Sequence, residues 1–333
     1  MLQKSNRFPQ RINLATLPTP LHPLKRVSGL VPKTEIIIKR DDLTGCTLSG
    51  NKARKLEFLL ADAQKQKSTM LITCGGIQSN HARSCAIAGR QVGLKSLLVL
   101  RGEEPEWPEA NLMLDWLTGA QIKYVNRQEY SDRASQLMLE EAERLKAEGE
   151  IPYIIPEGGS NALGSMGYAV MINEIKRQLR GRRLDYIVTP VGSGGTMAGL
   201  VMGTQLFKLH ARVIGINICA NAHLFVERVK GIIREAKETL DLTVYEDGNW
   251  EIVDGYVGEG YAVPYAGQII DMRTLAEKEG IILEPIYTGK AFHGLLSEIK
   301  NGRFGENKRI LFLHTGGIFG LFTQYYSRTL FGK

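Results

Sequence analysis

Apolar and polar positions alternate in two different rhythms along the chain. Continuous short runs of Val, Ile and Leu predict strands buried on both faces, because a half-exposed strand would alternate apolar and polar side chains. Stretches with apolar residues every three or four positions predict helices between most of them, most clearly at 54–66, 111–119 and 266–280. This alternation predicts an α/β protein with open, twisted, mostly parallel sheets. The predicted strands are 34–40, 69–73, 96–100, 121–125, 152–156, 185–191, 212–218 and 309–314.

Composition sets limits on size and partners. A chain of 333 residues with 43% hydrophobic and 23% charged residues suits one large or two medium domains. The net charge is +7, but the basic residues are spread out, and their densest run, at 177–183, falls at a predicted helix end. We interpret that run as a solvated helix cap. No nucleic-acid partner is expected, because no basic stripe with interleaved aromatic residues is present.

Neither a secretory signal nor a membrane span is expected. Residues 1–14 lack the apolar core of a signal peptide, and no apolar run reaches the length of a transmembrane helix. The four cysteines form no CxxC pair, which predicts free thiols in a reducing cytoplasm. Cys85 follows His81 by four residues, but without further ligands at metal spacing we expect no metal site.

Glycine-rich turns follow three of the predicted strands, at 74–83, 192–199 and 315–320. Ligand sites in α/β folds lie where the carboxyl ends of strands lead into helices. One such turn is common between a strand and a helix and needs no ligand to explain it. Three strands that each lead into a glycine-rich turn favour a shared ligand pocket, since glycine lets the backbone approach a ligand closely.

The turn GSGGT at 192–196 is typical of a phosphate site, with clustered N–H donors, two hydroxyls and a helix start. A dinucleotide site would require glycine in place of Met197 and an acid near 216–221, and neither is present. A P-loop fails because Asn51 stands where its lysine should be. A small cofactor with one phosphate remains.

The stretch LSGNKARKLEF at 48–58 contains a lysine that is directed inward. Lys52 lies about 30° from the centre of the apolar helical stripe that Leu56, Leu59, Leu60 and Ala63 form, at about 100° per residue. By the same arithmetic Arg54 and Lys55 can reach water. A first-turn lysine usually bends back to solvent, and alone this segment favours that interpretation. Combined with a monophosphate site, an inward lysine indicates pyridoxal 5′-phosphate (PLP), whose aldehyde bonds to a lysine as a Schiff base.

Several motifs resemble those of the D-cysteine desulfhydrase and aminocyclopropane-carboxylate deaminase family, which belongs to the tryptophan-synthase-β-like, fold type II PLP enzymes. They occur in family order from about residue 8 to 325. They are PTPL (18–21), KRDDLTG (39–45), SGNKARKLEF (49–58), GGIQSNHAR (75–83), PEGGSNALGSMGY (156–168), GSGGT (192–196), EPIYTGKAFHGL (284–295) and LFLHTGG (311–317).

The resemblance implies a role for each matching residue. Lys52 would be the Schiff-base lysine, Asn80 would bond the cofactor's 3′-oxygen, and Ser79 would lie beside the substrate. Tyr261 and Tyr287 match two active-site tyrosines, one near the leaving group and one against the ring, although packing alone could explain either. The implied phosphate cradle consists of Gly192, Ser193, Gly194, Gly195 and Thr196.

Thr288 and Thr315 stand where the deaminases of this family usually carry glutamate and leucine. A glutamate facing the pyridine nitrogen keeps it protonated, and opening a cyclopropane ring without a good leaving group needs that help. Neutral threonines suffice for eliminating a good leaving group from Cβ. Exchanging one side chain of a binding pocket in this way can strongly change how the enzyme discriminates between substrates.

The resemblance therefore implies D-cysteine desulfhydrase activity, a PLP-dependent carbon–sulfur lyase reaction that yields pyruvate, ammonia and hydrogen sulfide. The nearest alternatives are L-cysteate sulfo-lyase, a D-serine or chloroalanine lyase, and the deaminase itself. An anionic sulfonate would require an extra cation in the pocket; His81 and Arg83 follow the QSN motif but could equally be helix surface groups. A non-catalytic PLP-binding protein and a nicotinamide-dependent oxidoreductase are alternatives of other classes.

Two domains with the cofactor between them are implied by the same resemblance. Residues 1–53 and 166–333 would form the large PLP-binding domain, and 54–165 a small inserted α/β domain. Members of the family are commonly homodimers, so a homodimer is expected here.

Overall fold

A computed structural model of the chain describes residues 8–31, 33–219 and 221–331. The first half of the segment searched for a signal, and both ends of the predicted large domain, therefore lie outside the described residues. The strands are β1 Leu21–Pro23, β2 Thr34–Arg40, β3 Met70–Gly76, β4 Lys95–Arg101, β5 Gln121–Val125, β6 Pro152–Ile154, β7 Tyr186–Val191, β8 Arg212–Asn217, β9 Trp250–Val253 and β10 Lys308–His314.

The helices occupy most of the chain between the strands, with short 3₁₀ segments at Asp41–Leu43, Glu157–Gly159 and Ile318–Phe322. They are α1 Lys25–Ser28, α2 Lys52–Lys65, α3 Asn80–Gln91, α4 Ala110–Leu117, α5 Arg127–Ala147, α6 Ala162–Leu179, α7 Gly195–Leu206, α8 Ala222–Thr239, α9 Ala266–Glu279, α10 Thr288–Lys300 and α11 Gln324–Phe331.

The strands form two sheets. The larger has the order β1-β2-β10-β7-β8-β9 and is parallel except for the antiparallel β1. The smaller has the order β5-β4-β3-β6 and is parallel throughout. The predicted α/β class with mostly parallel sheets is confirmed. All eight predicted strands are present, whereas β1 and β9 were missed because three or four residues with polar or proline positions give too weak a pattern.

Successive residues of the central strands belong to different cores. In β7, Ile187 packs into a core with α6 and α7, whereas the next residue, Val188, packs into a second core with α9 and α10. Both faces of the larger sheet are therefore covered by helices. This double burial explains why the strands read as continuous apolar runs.

Helix α2 is buried on every side at its start. Leu56 and Leu59 face the smaller sheet, as the apolar stripe predicted. The opposite side is covered by α6, which passes so close that a Cβ at Gly167 would lie 2.3 Å from the Arg54 carbonyl oxygen. Arg54 and Lys55 are each only 1% exposed. The expectation that these two cations reach water is therefore wrong, because a second layer of structure covers the polar side of the helix.

The Arg54 guanidinium is held by two carboxylates. It donates to Asp41 over 2.7 and 2.9 Å and to Glu174 over 2.9 and 3.0 Å. Burial alone would raise the pKa of Asp41, but the charge and hydrogen bonds of Arg54 outweigh burial and lower it. Lys39 also donates to Glu174, over 2.5 Å, and Tyr168 donates to Asp41 over 2.7 Å. This network fixes the first turn of α2 against β2 and α6.

Other expectations from the sequence can be compared with the described residues. The basic run at 177–183 lies where α6 ends, with exposed Arg180 as its C-cap. No helix in the described ranges is long and apolar enough to cross a membrane. No cluster of three or more His, Cys, Asp or Glu that could hold a metal ion is found there either. The smaller sheet lies within residues 54–165, although the domain boundaries themselves stay predictions.

Replacing Arg54 with leucine should destabilise the protein by about 3–5 kcal/mol, since it leaves the buried Asp41 carboxylate without its partner. The free energy of unfolding in urea measures this. The matched control is Arg144→Leu on α5, whose ion pairs with Glu141 and Glu148 are half-exposed and should be worth only about 0–1 kcal/mol. Equal losses in the two variants would contradict a structural role for the Arg54 network.

Candidate active site

A cavity of about 950 Å³ lies where the carboxyl ends of strands from both sheets meet. It is lined by the ends of β3, β4 and β7 and by the turn after β10, so the glycine-rich turns share one pocket as expected. Gly195 and Thr288 are the two predicted site residues that do not line it. The predicted residues that do are Lys52, Ser79, Asn80, Gly192, Ser193, Gly194, Thr196, Tyr261, Tyr287 and Thr315.

Lys52 is the first residue of α2 and projects into the cavity, half-buried. Loss of solvation lowers the pKa of its amine from 10.5 to about 8, and the nearby Arg83 charge acts in the same direction. The turn before it is fixed from the other sheet, because the Asn51 N–H donates to the Thr315 carbonyl over 2.9 Å. The amine is therefore held in place and is close to its neutral, nucleophilic form.

The turn after β7 forms an anion site at the start of the 12-residue helix α7. Ser193 Oγ lies 2.8 Å from Ser160 Oγ, and Asn51 donates to Thr196 Oγ1 over 3.1 Å. Gly195 is required here by space, since a Cβ would lie 2.6 Å from Ser160 Oγ and 2.8 Å from Lys55 Nζ. Backbone N–H groups, hydroxyls and a helix N-terminus converge on this corner of the cavity.

Lys55 places a second buried amine beneath this turn, which the sequence analysis did not foresee. Its Nζ donates to the Gly158 carbonyl over 3.0 Å and to Ser160 Oγ over 3.2 Å, and within the described part of the chain it forms no ion pair. Burial, reinforced by the Lys52 charge, lowers the pKa of Lys55 well below its ordinary value. An anion at the turn would supply the missing negative charge. The sequence feature that could have indicated Lys55 is its position in the helix, three residues after Lys52.

The loop after β3 places two more predicted residues at the cavity. Ser79 caps α3, its Oγ accepting from the N–H groups of His81 and Ala82 over 3.2 and 3.1 Å. Asn80 follows as the first residue of the helix. The hydroxyl and the amide thus lie on the edge of the cavity next to Lys52.

His81 and Arg83 are not surface groups, so the surface interpretation of these two residues is wrong. They are 4% and 0% exposed. Thr73 Oγ1 donates to the Ile155 carbonyl, so it accepts from His81 Nε2–H over 2.8 Å. Burial and the charges of Lys52 and Lys55 lower the pKa of His81 well below 6.5. His81 is therefore neutral and oriented, and supplies no cation.

The two predicted tyrosines form a pair. Their hydroxyl oxygens are 2.5 Å apart, and their rings meet edge to face with centroids 5.9 Å apart. Desolvation raises the pKa of Tyr261 to about 12 and that of Tyr287 well above 10. Both phenols are therefore protonated at neutral pH, and one proton is available at the cavity. Tyr261 is the more exposed of the two, at 41%.

Thr288 lies behind the cavity wall and not in it. It is fully buried, and its hydroxyl donates to the Glu284 side chain over 3.1 Å. Glu284, which the sequence analysis passed over, is a buried acid whose pKa desolvation raises to about 7. Its carboxyl accepts from the backbone N–H groups of Ile286, Tyr287 and Thr288 over 2.7, 2.9 and 2.6 Å. The acid is thus occupied with holding the start of α10.

Arg101 is a cation in the cavity that the motifs did not indicate. It ends β4 beside the end of β3, and its guanidinium lies 5.2 Å from the Tyr130 ring centroid and 5.7 Å from that of Tyr261. Across the described ranges it forms no ion pair. Position alone could have indicated it, as the last residue of a strand next to the GGIQSN turn.

These residues fit PLP. A phosphate matches the cradle after β7, where N–H groups, hydroxyls and a helix N-terminus converge and buried Lys55 lacks a counter-charge. An aldehyde matches a lysine amine of lowered pKa, and a hydroxylated ring matches the exposed amide of Asn80. The cofactor, when bound, supplies an electron sink for chemistry at Cα of an amino acid.

The rate of covalent PLP uptake by the cofactor-free protein should rise with pH and reach half its maximum near pH 8. Only the neutral Lys52 amine attacks an aldehyde, and its pKa is lowered to about 8. Absorbance after mixing measures the rate, and Lys52→Ala should remove the phase. A midpoint near the ordinary lysine value of 10.5 would contradict the lowered pKa.

Comparisons with known proteins agree with this geometry. The model of the family described as pyridoxal-phosphate dependent enzyme matches residues 12–316. A Thermotoga maritima protein provisionally named 1-aminocyclopropane-1-carboxylate deaminase is 45% identical, over 94% of this chain and 98% of its own. A D-cysteine desulfhydrase from *Klebsiella pneumoniae* is 38% identical, over 97% and 98%. The solved structure of a homologue of that deaminase superposes with a TM-score of 0.89 at 37% identity, covering 98% of this chain and 96% of the other. The chain therefore belongs to the pyridoxal-phosphate-dependent enzymes of fold type II, and its cofactor is PLP.

Proposed function

We propose that this enzyme catalyses the α,β-elimination of D-cysteine, in which D-cysteine and water yield pyruvate, ammonia and hydrogen sulfide. The observation that carries the proposal is that, among the described residues, no free acid lies beside Thr315. Thr315 lines the cavity, whereas the nearby Glu284 carboxyl is occupied by three backbone N–H groups and Thr288. The acids that do line the cavity, Asp132 and Glu157, belong to the wall formed by the smaller sheet and α5.

A neutral residue beside the cofactor's ring nitrogen is compatible with expelling a good leaving group such as hydrosulfide. Opening a cyclopropane ring is a harder reaction, and an ionised acid beside the ring nitrogen would favour it. Thr315 therefore supports elimination over deamination. Thr288 contributes indirectly, because its hydroxyl helps to hold the Glu284 carboxyl behind the cavity wall.

In this proposal Lys52 both anchors the cofactor and moves the substrate's α-proton. Its amine has a pKa of about 8, which suits a general base near neutral pH. Ser79 and Asn80 bind the substrate carboxylate and the cofactor's 3′-oxygen respectively. The turn from Gly192 to Thr196 holds the phosphate, and Lys55 supplies the balancing charge beneath it.

The tyrosine pair is assigned to the ring and the leaving group. Tyr287 lies against the Gly192 backbone, which suits a contact with the cofactor's ring. Tyr261 extends further into the open cavity, where a substrate's Cβ substituent would lie. Because both phenols are protonated, Tyr261 can donate a proton to a departing sulfur and regain it through Tyr287.

A substrate panel on the PLP-loaded protein tests the assignment, with D- and L-cysteine, L-cysteate, D-serine and aminocyclopropane carboxylate as substrates. Pyruvate and sulfide should be released in equal amounts from D-cysteine, and Lys52→Ala should lower kcat by at least about 100-fold, as the loss of a general base does. Production of 2-oxobutanoate from aminocyclopropane carboxylate instead would overturn the elimination. If the amino acids change the cofactor absorbance but none of them yields a product, the protein binds PLP without catalysis.

L-cysteate sulfo-lyase is the second candidate, and Arg101 favours it. A sulfonate requires a cation near Cβ, and the Arg101 guanidinium lies 5.7 Å from the ring centroid of Tyr261, which is assigned to the leaving group. Its stacking between two aromatic rings holds the guanidinium without neutralising its charge.

Arg101→Gln separates the two candidates. If cysteate is the substrate, kcat/KM for cysteate should fall roughly 10- to 100-fold, the range for losing a hydrogen bond to a charged group, with a smaller change for D-cysteine. The matched control is Arg228→Gln, whose side chain lies against the turn that cradles the phosphate and should affect both substrates alike. No turnover of cysteate by the unaltered enzyme would remove this candidate.

We also propose that the enzyme is a cytoplasmic homodimer. Its cysteines are all free, which suits a reducing compartment. Apolar side chains around α4 and the 3₁₀ segment after β10 are unusually exposed, and these segments adjoin one another at a shared groove. The most exposed apolar and aromatic side chains in and beside these segments are Trp107, Trp116, Leu117, Phe322 and Tyr325. A second copy of the chain would cover them, and the mass of the purified protein in solution tests this.

A further inference from the structure

The side chain of Asn80 is held by a second asparagine, Asn111. Asn111 Nδ2 donates to Asn80 Oδ1 over 3.1 Å and to the Gln78 carbonyl over 3.1 Å. Asn111 is fully buried in the first turn of α4, whereas Asn80 is at the cavity edge. Within the described part of the chain, Asn80 Nδ2 donates to no protein group. It is the one end of this amide that remains available to a ligand.

Arg83 decides which way the Asn111 amide points. Its Nε donates to Asn111 Oδ1 over 3.0 Å. A guanidinium has five N–H donors and no acceptor, so the atom that faces it must be the amide oxygen. The Asn111 NH₂ group then has to face Asn80, and the Asn80 side-chain oxygen accepts its hydrogen bond. The direction of both amides is therefore fixed by two groups that cannot reverse their roles, the Arg83 guanidinium and the Gln78 carbonyl.

The Arg83 guanidinium is itself fixed in position. It donates to the carbonyl groups of Thr47 and of Ser49, the latter over 3.0 Å, and it lies 4.9 Å from the Phe319 ring centroid. Burial lowers the pKa of Arg83 only to about 10, so it stays charged at neutral pH. Since residues 47–49 lead into Lys52, the same guanidinium ties the turn of Lys52 to the amide of Asn80.

The backbone around Asn111 is shaped for this contact. Ala110, immediately before it, has a φ of 50°, a left-handed conformation that is strained for a non-glycine residue. The Gln78 side chain holds the segment by accepting from the Asn111 N–H over 3.0 Å and donating to the Glu109 carbonyl over 3.1 Å. Strain that is kept in place by dedicated hydrogen bonds points to a positioning function.

We propose that Arg83 and Asn111 form a polarity relay that makes Asn80 present its NH₂ group, and never its oxygen, to the ligand in the cavity. The inference rests on the proposed contact of Asn80 with the 3′-oxygen of PLP. When the Asn80 NH₂ group points at that oxygen, it stabilises negative charge there. A reversed amide would present its own oxygen and repel the charge. Asn111 and Arg83 are thus positioning residues, and Asn80 is the residue that contacts the cofactor.

Asn111→Asp reverses the relay with almost no change in shape. A carboxylate still accepts from Arg83 but now faces both Asn80 and the Gln78 carbonyl with an acceptor. Asn80 can answer by turning its NH₂ group away from the cavity, whereas the hydrogen bond to the Gln78 carbonyl is lost. PLP binding should weaken roughly 10- to 100-fold, the effect of losing a hydrogen bond to a charged oxygen. The pH at which the absorption bands of the bound cofactor interconvert should also shift.

A double-mutant cycle with Asn80→Ala distinguishes a relay from a general structural effect. In the Asn80→Ala background, Asn111→Asp should cause no further loss of PLP affinity and no further spectral shift. Asn249→Asp, at an exposed position, is the control for the added charge. Thermal unfolding shows whether each variant is folded, and Asn111→Ala replaces Asn111→Asp in the cycle if the latter fails to fold.

Unchanged affinity and spectra in Asn111→Asp would overturn the relay, and so would an equal loss with and without Asn80. Asn80→Ala itself tests the contact on which the inference rests. If that variant binds PLP as the unaltered protein does, with the same spectrum, the proposed role of Asn80 fails and the relay fails with it. D-cysteine turnover is measured separately, so a wrong substrate assignment leaves the relay standing.

Discussion

The buried ion pair of Arg54 with Asp41 and Glu174 is the interaction on which the active site depends. It joins the first turn of α2 to Asp41, the residue that follows β2, and to α6 through Glu174, so a helix that packs on the smaller sheet is anchored in the larger one. Lys52 lies two residues before Arg54. Its position in the cavity between the sheets is therefore set by a network that itself takes no part in the chemistry.

Three cations lie in this one helical turn, with Arg54 and Lys55 buried and Lys52 half-buried, and the surroundings of each are different. Arg54 keeps its charge because carboxylates surround it. Within the described residues Lys55 has only a carbonyl and a hydroxyl as hydrogen-bond partners, so an anion in the adjacent turn would stabilise its charged form. Lys52 has no such partner among the residues that the structure describes, and its pKa falls to about 8. A structural anchor, an anion site and a nucleophile thus arise from the same sequence KARK by differences in surroundings alone.

Helical periodicity placed Lys52 near the apolar stripe, but the monophosphate site indicated by the GSGGT turn was needed to favour an inward lysine over one that bends back to solvent. The glycine turns were enough to predict a shared pocket. Periodicity failed for Arg54 and Lys55, because it describes one helix and cannot tell whether its polar side meets water or a second helix. Glu284 and Arg101 were missed for a related reason. Whether an acid is occupied by backbone N–H groups, or a strand-end arginine lies over two rings, depends on contacts between residues far apart in the chain. The Asn111 relay is likewise invisible in sequence, since residues 28 and 31 positions apart fix its direction.

The most direct test of this account is the identity of the lysine that carries the cofactor. Reduction of the PLP-loaded protein with borohydride, followed by mass spectrometry of its peptides, identifies the modified residue. The account predicts that Lys52 carries the adduct and that Lys55, three residues away in the same turn, does not. An adduct on Lys55, or one spread over several lysines, would contradict the separation of roles between the anchor, the anion site and the nucleophile.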